Sequence, residues 1–293
     1  MNIALTGSSG FIGSHVLTEL VAHGHEVTAL VRGEEDAIAV AAQGAEATVV
    51  DLYDQAAVVN VLVDLDGSIH TASPGDATSA DLDSAMADAV IEAFSGSGKP
   101  HIQISGLWVY GANTGITEDS PRNPPPMVAW KEAIEQRLLS AEGVRAIVPV
   151  SGSAYGDAGG GIPGLLLGSP RDDAGNLIMI GEGRQHWVTV HVADLADFFR
   201  RALEQDSAHG YYAVGNGLTP TVAELTEAAA VAVGAPGAVS GSDAEARSRL
   251  GDYFAEVLLL DQGTQATRAR VELGWKPSHL GLIEEFRTGS YRK

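Results

Sequence analysis

The sequence predicts an α/β protein built on a doubly wound parallel sheet of about seven strands, with a small, mostly helical C-terminal lobe. Two observations favour this class. A short apolar run, Ile3–Leu5, leads directly into the glycine-rich segment Thr6–Gly13, and apolar residues then recur at helical spacing. Strand-like and helix-like segments alternate over the first half of the chain, which is typical of parallel strands joined by crossover helices.

The strands are predicted from short runs of apolar and β-branched residues that end at Gly, Pro or polar clusters. They are Ile3–Leu5, His25–Val31, Glu46–Val50, Ser68–Ala72, His101–Ser105, Val144–Val150 and Gly210–Val214, and Gln185–Val190 is a further predicted strand. The predicted helices include Ala80–Phe94, Met127–Ala141 and Ala193–Leu203. A further helix is predicted to start at Thr221, with Glu224 as its capping-box partner. On the first of these helices, Asp81, Asp83 and Asp88 are expected to lie away from the apolar face.

The segment Thr6–Gly13, TGSSGFIG, has the spacing of a dinucleotide-binding turn between a strand and a helix. Gly7 permits the tight turn, Gly10 lets the backbone approach a pyrophosphate, and Gly13 lets the helix pack close to the strand. The helix N-terminus adds free N–H donors and a positive dipole end, which both attract phosphate. We therefore predict a Rossmann fold with cofactor contacts at Thr6, Gly7, Ser9, Gly10, Phe11, Ile12 and Gly13.

Arg32 follows the second strand, and no acidic residue occupies the strand tip. In dinucleotide folds an acid at this point binds the ribose hydroxyls of NAD, whereas a nearby arginine accommodates the 2′-phosphate of NADP. The sequence therefore favours NADP(H), and NAD(H) stays open because Glu34 and Glu35 lie close by. The alternative is a solvated arginine that opens a loop.

The carboxyl ends of further strands should border the same site, because right-handed crossovers place ligands above that edge. Asp51 either accepts the adenine amino group or caps the helix that begins near Asp54. His70 is expected to be a packed strand histidine. The predicted cofactor contacts along this edge are Asp51, Leu52, Thr71, Ala72 and Ser73.

The formal net charge of −20 and the absence of cysteine exclude several classes of partner and site. Nucleic acid and an anionic membrane surface would both repel such a chain. Without cysteine there is no disulfide, thiolate metal site or cysteine nucleophile. His186 and His191 lack acids or histidines at metal-ligand spacing, so no metal site is predicted. The sequence lacks a signal-peptide pattern and a run of membrane-spanning length, which predicts a cytoplasmic protein.

These motifs together resemble the extended and atypical short-chain dehydrogenase/reductases, the NAD-dependent epimerase/dehydratase superfamily. The resemblance covers nearly the whole chain. It rests on Thr6–Gly13, Tyr110-Gly111, Ser151–Gly156 (SGSAYG), His191–Ala196 (HVADLA) and Leu273–Pro277 (LGWKP). It implies an NAD(P)-binding enzyme that pairs as a homodimer through the helices Ala80–Phe94 and Met127–Ala141.

The chain departs from this family at two of its three catalytic positions. The family's Tyr and Lys lie four residues apart on one helix face, where the lysine lowers the tyrosine pKa and binds the nicotinamide ribose. Lys131 matches the lysine, but Met127 stands at the tyrosine position and cannot transfer a proton. Gly106 stands where the family has Ser or Thr, with Ser105 beside it.

Two tyrosines at strand ends, Tyr110 and Tyr155, are candidates to replace the missing acid. The alternative for each is a packed side chain with a locally bonded hydroxyl. Tyr155 is the first choice, because it follows the sixth strand at the edge where the site should lie. The predicted catalytic residues are Lys131, Tyr155, Ser105 and Tyr110, of which Lys131 also binds the cofactor; the alternative for Lys131 is a surface lysine on a helix. Arg184 and Trp187 are either substrate contacts or packing at the rim of the site.

The sequence thus predicts an NADP(H)-binding oxidoreductase of the atypical short-chain type that acts on a small carbonyl, imine or hydroxyl compound. A non-redox lyase or hydratase and a catalytically inactive NADP(H)-sensing regulator stay open, because the tyrosine is missing. Residues 1–156 and 185–220 are expected to form the dinucleotide-binding domain, and residues 157–184 and 221–293 the smaller substrate-binding lobe. The expected partners are a small-molecule substrate and a second copy of the chain.

Overall fold

The computed structural model describes residues 1–292. Its strands are β1 (Asn2–Thr6), β2 (Glu26–Val31), β3 (Glu46–Val49), β4 (Gly67–His70), β5 (Pro100–Gln103), β6 (Ser105–Gly106), β7 (Asn113–Ile116), β8 (Arg145–Ser151), β9 (Ser153–Tyr155), β10 (Leu177–Ile178), β11 (Thr189–His191), β12 (Gly210–Val214), β13 (Ala238–Val239) and β14 (Gln262–Thr264). Its α-helices are α1 (Phe11–Ala22), α2 (Glu34–Ala41), α3 (Gln55–Leu62), α4 (Ser79–Phe94), α5 (Trp130–Ser140), α6 (Gly161–Leu167), α7 (Val192–Glu204), α8 (Val222–Ala232), α9 (Asp243–Leu250), α10 (Asp252–Leu258), α11 (Thr267–Glu272) and α12 (Leu282–Thr288).

The central sheet is parallel, with the strand order β12-β8-β5-β4-β1-β2-β3 and β6 beside β8. This confirms the predicted doubly wound sheet of about seven strands. The order reverses between β1 and β4, and ligands of such sheets bind at that switch point, outside the carboxyl ends of the strands. Thr6 at the end of β1 pairs in register with His70 at the end of β4. The turn after β1 therefore lies beside the end of β4.

Alternate residues of the strands face two helical layers. Ile3 and Leu5 of β1 pack with residues of α1 and α7, whereas Ala4 between them packs with residues of α3, α4 and α5. These three side chains are almost fully buried, and burying one Leu or Ile side chain is worth about 1.5–3 kcal/mol. The two apolar layers therefore hold β1, and with it the turn that follows, in a fixed position.

A second apolar cluster forms the smaller lobe around α6, α8, α10 and α12, with Leu225 and Phe286 fully buried in it. One stretch departs from the expected lobe boundaries. Leu273 and Trp275 pack in the cluster formed with α1 and α7, and the Trp275 indole donates to the carbonyl oxygen of Asp194 at 2.8 Å. The segment around α11 thus packs against the central sheet with α1 and α7, because its apolar side chains complete that cluster.

Two predicted elements have different bounds in the structure. α5 begins at Trp130, not near Met127, and residues 126–129 form a turn. The prolines at Pro124–Pro126 remove N–H donors and disfavour helical backbone at the residues before them, which delays the helix. The strand expected over Gln185–Val190 is shorter, since pairing with β9 covers only Thr189–His191.

Candidate active site

The turn after β1 is shaped to bring backbone close to a ligand. Gly7 has φ +72°, and a Cβ there would lie 2.6 Å from the backbone nitrogen of Ala72. A Cβ on Gly13 would overlap the Gly7 carbonyl, whereas a Cβ on Gly10 would meet that oxygen at 3.2 Å and otherwise point into open space. Gly10 is the N-cap of α1 and offers no side-chain cap, so the first N–H groups of the helix can bind a phosphate. These residues fit the pyrophosphate of a dinucleotide.

The ends of β2 and β3 carry the residues expected at the adenosine half of the cofactor. Arg32 is exposed directly after β2 and forms no ion pair with a residue in the range 1–292. Asp51 does not cap α3, because Asp54 is the N-cap and accepts from the N–H of Ala57 at 3.1 Å. Asp51 Oδ1 accepts instead from the N–H of Tyr53 at 3.0 Å. Contact of Asp51 with adenine stays a prediction.

The segment after β4 is tied to the glycine turn. The Thr71 hydroxyl donates to the Thr6 carbonyl oxygen at 2.8 Å, and the Ala72 N–H donates to the Thr6 hydroxyl at 3.4 Å. Ser73 follows at the surface, with its hydroxyl 3.3 Å from that of Ser79. The structure thus brings Thr6, Thr71, Ala72 and Ser73 together at the switch point.

Lys131 lies in the first turn of α5 and is held by a buried carboxylate. Its Nζ donates to Asp83 Oδ2 at 3.1 Å and lies 4.3 Å from the ring centre of Trp130. Asp83 is 5% exposed, so the expectation that it lies away from the buried face of α4 is wrong. Burial tends to raise the pKa of the Asp83 carboxyl, but the hydrogen bond from His70 and the charge of Lys131 outweigh burial and lower it.

A cavity of about 190 Å³ lies beside the first turn of α1, at the carboxyl edge of the sheet. The residues that line it are all uncharged. They are Ile12, Ile104, Ser105, Gly106, Leu107, Trp108, Ser151, Gly152, Ser153, Ile162, Trp187, Val188, Leu258 and Gln262. Because Ile12 belongs to the glycine turn, the cavity adjoins the predicted cofactor site. Its volume is below the roughly 300–1,000 Å³ of a pocket for a drug-sized ligand, so it suits a small molecule.

Ser105 is the predicted catalytic residue that lines the cavity. It is 5% exposed, and its hydroxyl is buried without a hydrogen-bond partner among residues 1–292. A buried hydroxyl with no partner costs about 1–3 kcal/mol, which a bound oxygen can recover. Ser151 also lines the cavity, but its hydroxyl donates to the Gly152 carbonyl oxygen at 2.8 Å. Ser105 is therefore the better placed of the two to bond a ligand.

The two tyrosines do not line this cavity. Tyr155 is fully buried, and its hydroxyl donates to the Leu280 carbonyl oxygen at 2.6 Å and accepts from the Asn216 amide at 3.2 Å. Burial raises the pKa of Tyr155 well above its usual value. Tyr110 packs in a separate apolar cluster, with the Arg122 guanidinium 5.4 Å from its ring centre. The expectation that these tyrosines face the substrate is not met, because both side chains are used in packing.

Of the two candidate substrate contacts, Trp187 and Arg184, one lines the cavity and the other does not. Trp187 lines the cavity, and its indole is fixed by donating to the Leu258 carbonyl oxygen at 3.0 Å. Arg184 is exposed, pairs with Glu182 and does not line the cavity. An aromatic wall, not a cation, therefore faces the ligand from this side.

Gln262 is a part of the site that the sequence analysis missed. It lies in β14 and lines the cavity. Its side-chain amide donates to the carbonyl oxygens of Leu107 at 2.8 Å and Gly111 at 2.7 Å, which fixes the segment after Ser105. A lone glutamine some 150 residues from its partners carries no pattern that could have revealed this contact.

Fold and site together define a dinucleotide-binding α/β protein with a small cavity beside its phosphate turn. A family model described as "NAD dependent epimerase/dehydratase family" matches residues 3–215. The chain belongs to this NAD(P)-binding family, as its motifs predicted.

Relatives and solved structures match the chain over nearly its full length. An uncharacterized protein of Schizosaccharomyces pombe is 30% identical, with 99% of this chain and 100% of the relative covered. The crystal structure of human epimerase family protein SDR39U1 with NADPH has a TM-score of 0.74 and 22% identity, and covers 99% of both chains. dTDP-glucose 4,6-dehydratase from Bacillus anthracis in complex with NAD has a TM-score of 0.78 and 17% identity, and covers 99% of this chain and 96% of the other. At these identities the two solved structures support the fold alone.

Proposed function

We propose that the chain is an NADP(H)-dependent oxidoreductase of the atypical short-chain type that acts on a small carbonyl, imine or hydroxyl compound. The observation that carries this proposal is the unpaired Ser105 hydroxyl in a cavity that adjoins the glycine turn. A bound NADP(H) would supply or accept the hydride at this cavity. The Ser105 hydroxyl would donate a hydrogen bond to the substrate oxygen or nitrogen. In reduction this atom would take the Ser105 proton as the carbon receives the hydride, and solvent water would return a proton to the serine; oxidation would run in reverse.

NADP(H) is the proposed cofactor because of the charge at the end of β2. Arg32 is exposed there, free of ion pairs with residues 1–292, and matches the position that accommodates a 2′-phosphate. Of the two similar solved structures, human SDR39U1 holds NADPH and the Bacillus anthracis dehydratase holds NAD, so the proposed choice rests on Arg32. Lys131 is the proposed ligand of the nicotinamide ribose.

The substrate is proposed to be small and uncharged. The lining of the cavity offers hydroxyls, a glutamine amide and indole rings but no cation for a phosphate or carboxylate. Desolvating such a charge without a partner would cost more than desolvating a neutral hydroxyl or amide, at least several kcal/mol.

The proposal is tested by following NADPH oxidation with a panel of small uncharged aldehydes, ketones and imines. Ser105→Ala should lower kcat/KM about a hundredfold and leave NADPH affinity unchanged, because the hydroxyl acts on the substrate. Ser151→Ala is the matched control, since its hydroxyl is already bonded, and should stay within about threefold of the parent. Conversion of a substrate without NADPH oxidation would point instead to a lyase or hydratase. NADPH binding without any turnover would point to a sensing regulator.

We also propose that the chain acts in the cytoplasm as a homodimer. No helix within residues 1–292 is long and apolar enough to cross a membrane. α4 and α5 pack side by side, as the pairing helices of the family require, and the proposed interface is formed by the two helices of each copy. Light scattering at assay concentration should give the mass of two chains.

A further inference from the structure

A chain of hydrogen bonds runs through the protein interior from α5 to the glycine turn. The Lys131 ammonium donates to Asp83 at 3.1 Å, Asp83 lies 3.2 Å from His70 Nε2, and His70 Nδ1 lies 2.6 Å from the Thr6 hydroxyl. We call these four residues the polar relay. His70 is fully buried and Asp83 nearly so, whereas Lys131 reaches partly into solvent.

The donors and acceptors of the polar relay fit together in one order. A carboxylate can only accept, so His70 donates from Nε2 to Asp83. In the tautomer with its proton on Nε2, His70 accepts at Nδ1 from the Thr6 hydroxyl. That hydroxyl accepts in turn from the Ala72 N–H at 3.4 Å. The relay therefore links three parts of the switch point: the first turn of α5, the end of β1 and the segment after β4.

We propose that Asp83 and His70 are positioning residues for the dinucleotide, an inference that rests on the proposed cofactor contacts of Lys131 and Thr6. The relay fixes the ammonium of Lys131 at the nicotinamide ribose and the backbone after Thr6 at the pyrophosphate. It thereby sets the distance between the two contacts on one ligand. Preorganised contacts bind more tightly because little ordering remains for the ligand to impose.

A purely structural role accounts poorly for this arrangement. A buried ion pair is often no more stabilising than apolar residues of the same volume, since both charges must leave water. The polar relay nevertheless places a carboxylate and an imidazole between α4 and the sheet. Its two end residues, Lys131 and Thr6, are both predicted cofactor contacts. The pairing also explains how Lys131 keeps its place when Met127 offers it no phenol: Asp83 is its partner.

The test compares the Kd values of two ligands that share an adenosine with a 2′-phosphate. NADPH carries the nicotinamide ribose, whereas adenosine 2′,5′-bisphosphate carries the adenosine and 2′-phosphate but not that ribose. Asp83→Asn removes the charge with almost no change of shape. We expect it to raise the Kd of NADPH about tenfold and to leave the Kd of adenosine 2′,5′-bisphosphate within about twofold, as measured by calorimetry. Lys131→Met should give the same split, and the double variant should be no weaker than Lys131→Met alone.

Asp88→Asn is the matched control, because Asp88 lies on the same helix in an exposed pair with Arg137 at 2.8 Å and should leave both Kd values unchanged. If the Asp83→Asn variant binds NADPH with the Kd of the parent, the proposal is overturned. Equal weakening of both ligands would overturn it too, since a fold-wide defect acts on both. Binding alone is measured, so a lack of turnover would count against the proposed reaction and not against the relay.

Discussion

Buried His101 should make the stability of the protein depend on pH. His101 is fully buried in β5, with its Nδ1 2.7 Å from the Ser68 hydroxyl and its Nε2 3.4 Å from the Gln103 side-chain oxygen. Burial of the ring is the main cause that lowers the pKa of His101 to about 3. In the unfolded chain a histidine titrates near pKa ~6.5. The folded state therefore holds this ring neutral over a range in which the unfolded state protonates it.

The sign follows from proton linkage. Below pH ~6.5 the unfolded chain binds a proton at this histidine, whereas the folded chain does not. The contribution of His101 to the free energy of unfolding is therefore fully present above pH ~6.5 and is lost as the pH falls toward 3. At pH ~5 protonation of one histidine stabilises the unfolded state by about 2 kcal/mol, because this pH lies roughly 1.5 units below the pKa of ~6.5. The folded state gains almost nothing at that pH, because its own pKa is about 3.

Urea unfolding followed by tryptophan fluorescence at pH ~8 and pH ~5 measures this loss. His101→Asn keeps a polar atom near the Ser68 hydroxyl but cannot titrate, so its stability should fall by about 2 kcal/mol less than that of the parent between the two pH values. His209→Asn, which removes an exposed ring, is the control and should follow the parent. Equal losses in the parent and in His101→Asn would refute the argument that this ring is held neutral.

Two further predictions concern the cofactor and the packed tyrosine. Arg32→Ala should raise the Kd of NADPH about tenfold to a hundredfold and leave that of NADH nearly unchanged, as one charge-assisted phosphate contact implies; equal weakening of both would assign Arg32 to a solvated loop. Tyr155→Phe should destabilise the fold by about 1–3 kcal/mol in a thermal or urea assay, because it leaves the Leu280 carbonyl unpaired, and should keep turnover within a few-fold. A large loss of turnover at parental stability would return Tyr155 to the mechanism.

The sequence predicted the features that depend on neighbours along the chain. The glycine spacing of Thr6–Gly13 and the alternation of strands and helices specified the sheet, and the seven main strands lie within one or two residues of their predicted bounds. The helix start at Thr221 is another local feature. Its side chain accepts from the Glu224 N–H while the Glu224 carboxylate accepts from the Thr221 N–H, so both partners lie within one turn.

The features that the sequence missed depend on distant packing. Asp83 was expected on the polar side of its helix, and only the positions of His70 and Lys131 in space explain why a carboxylate is stable in the interior. Tyr155 was expected at the site edge, but the Leu280 carbonyl, 125 residues later in the chain, accepts from its hydroxyl. Periodicity reports which face of an element is apolar, not which polar group another element brings to that face.

The local geometry of α5 explains why a tyrosine at position 127 would not act as it does in the family pattern. In the family pattern a tyrosine four residues before the lysine shares its helix face, and the free ammonium lowers the phenol's pKa. Here Met127 lies in the turn before α5 with 39% of its surface exposed, and the ammonium of Lys131 is already paired with Asp83. A phenol at position 127 would lack both the shared helix face and an unpaired lysine charge. Under the proposed function, Lys131 therefore serves cofactor binding, and the group that acts on the substrate is the Ser105 hydroxyl in the cavity.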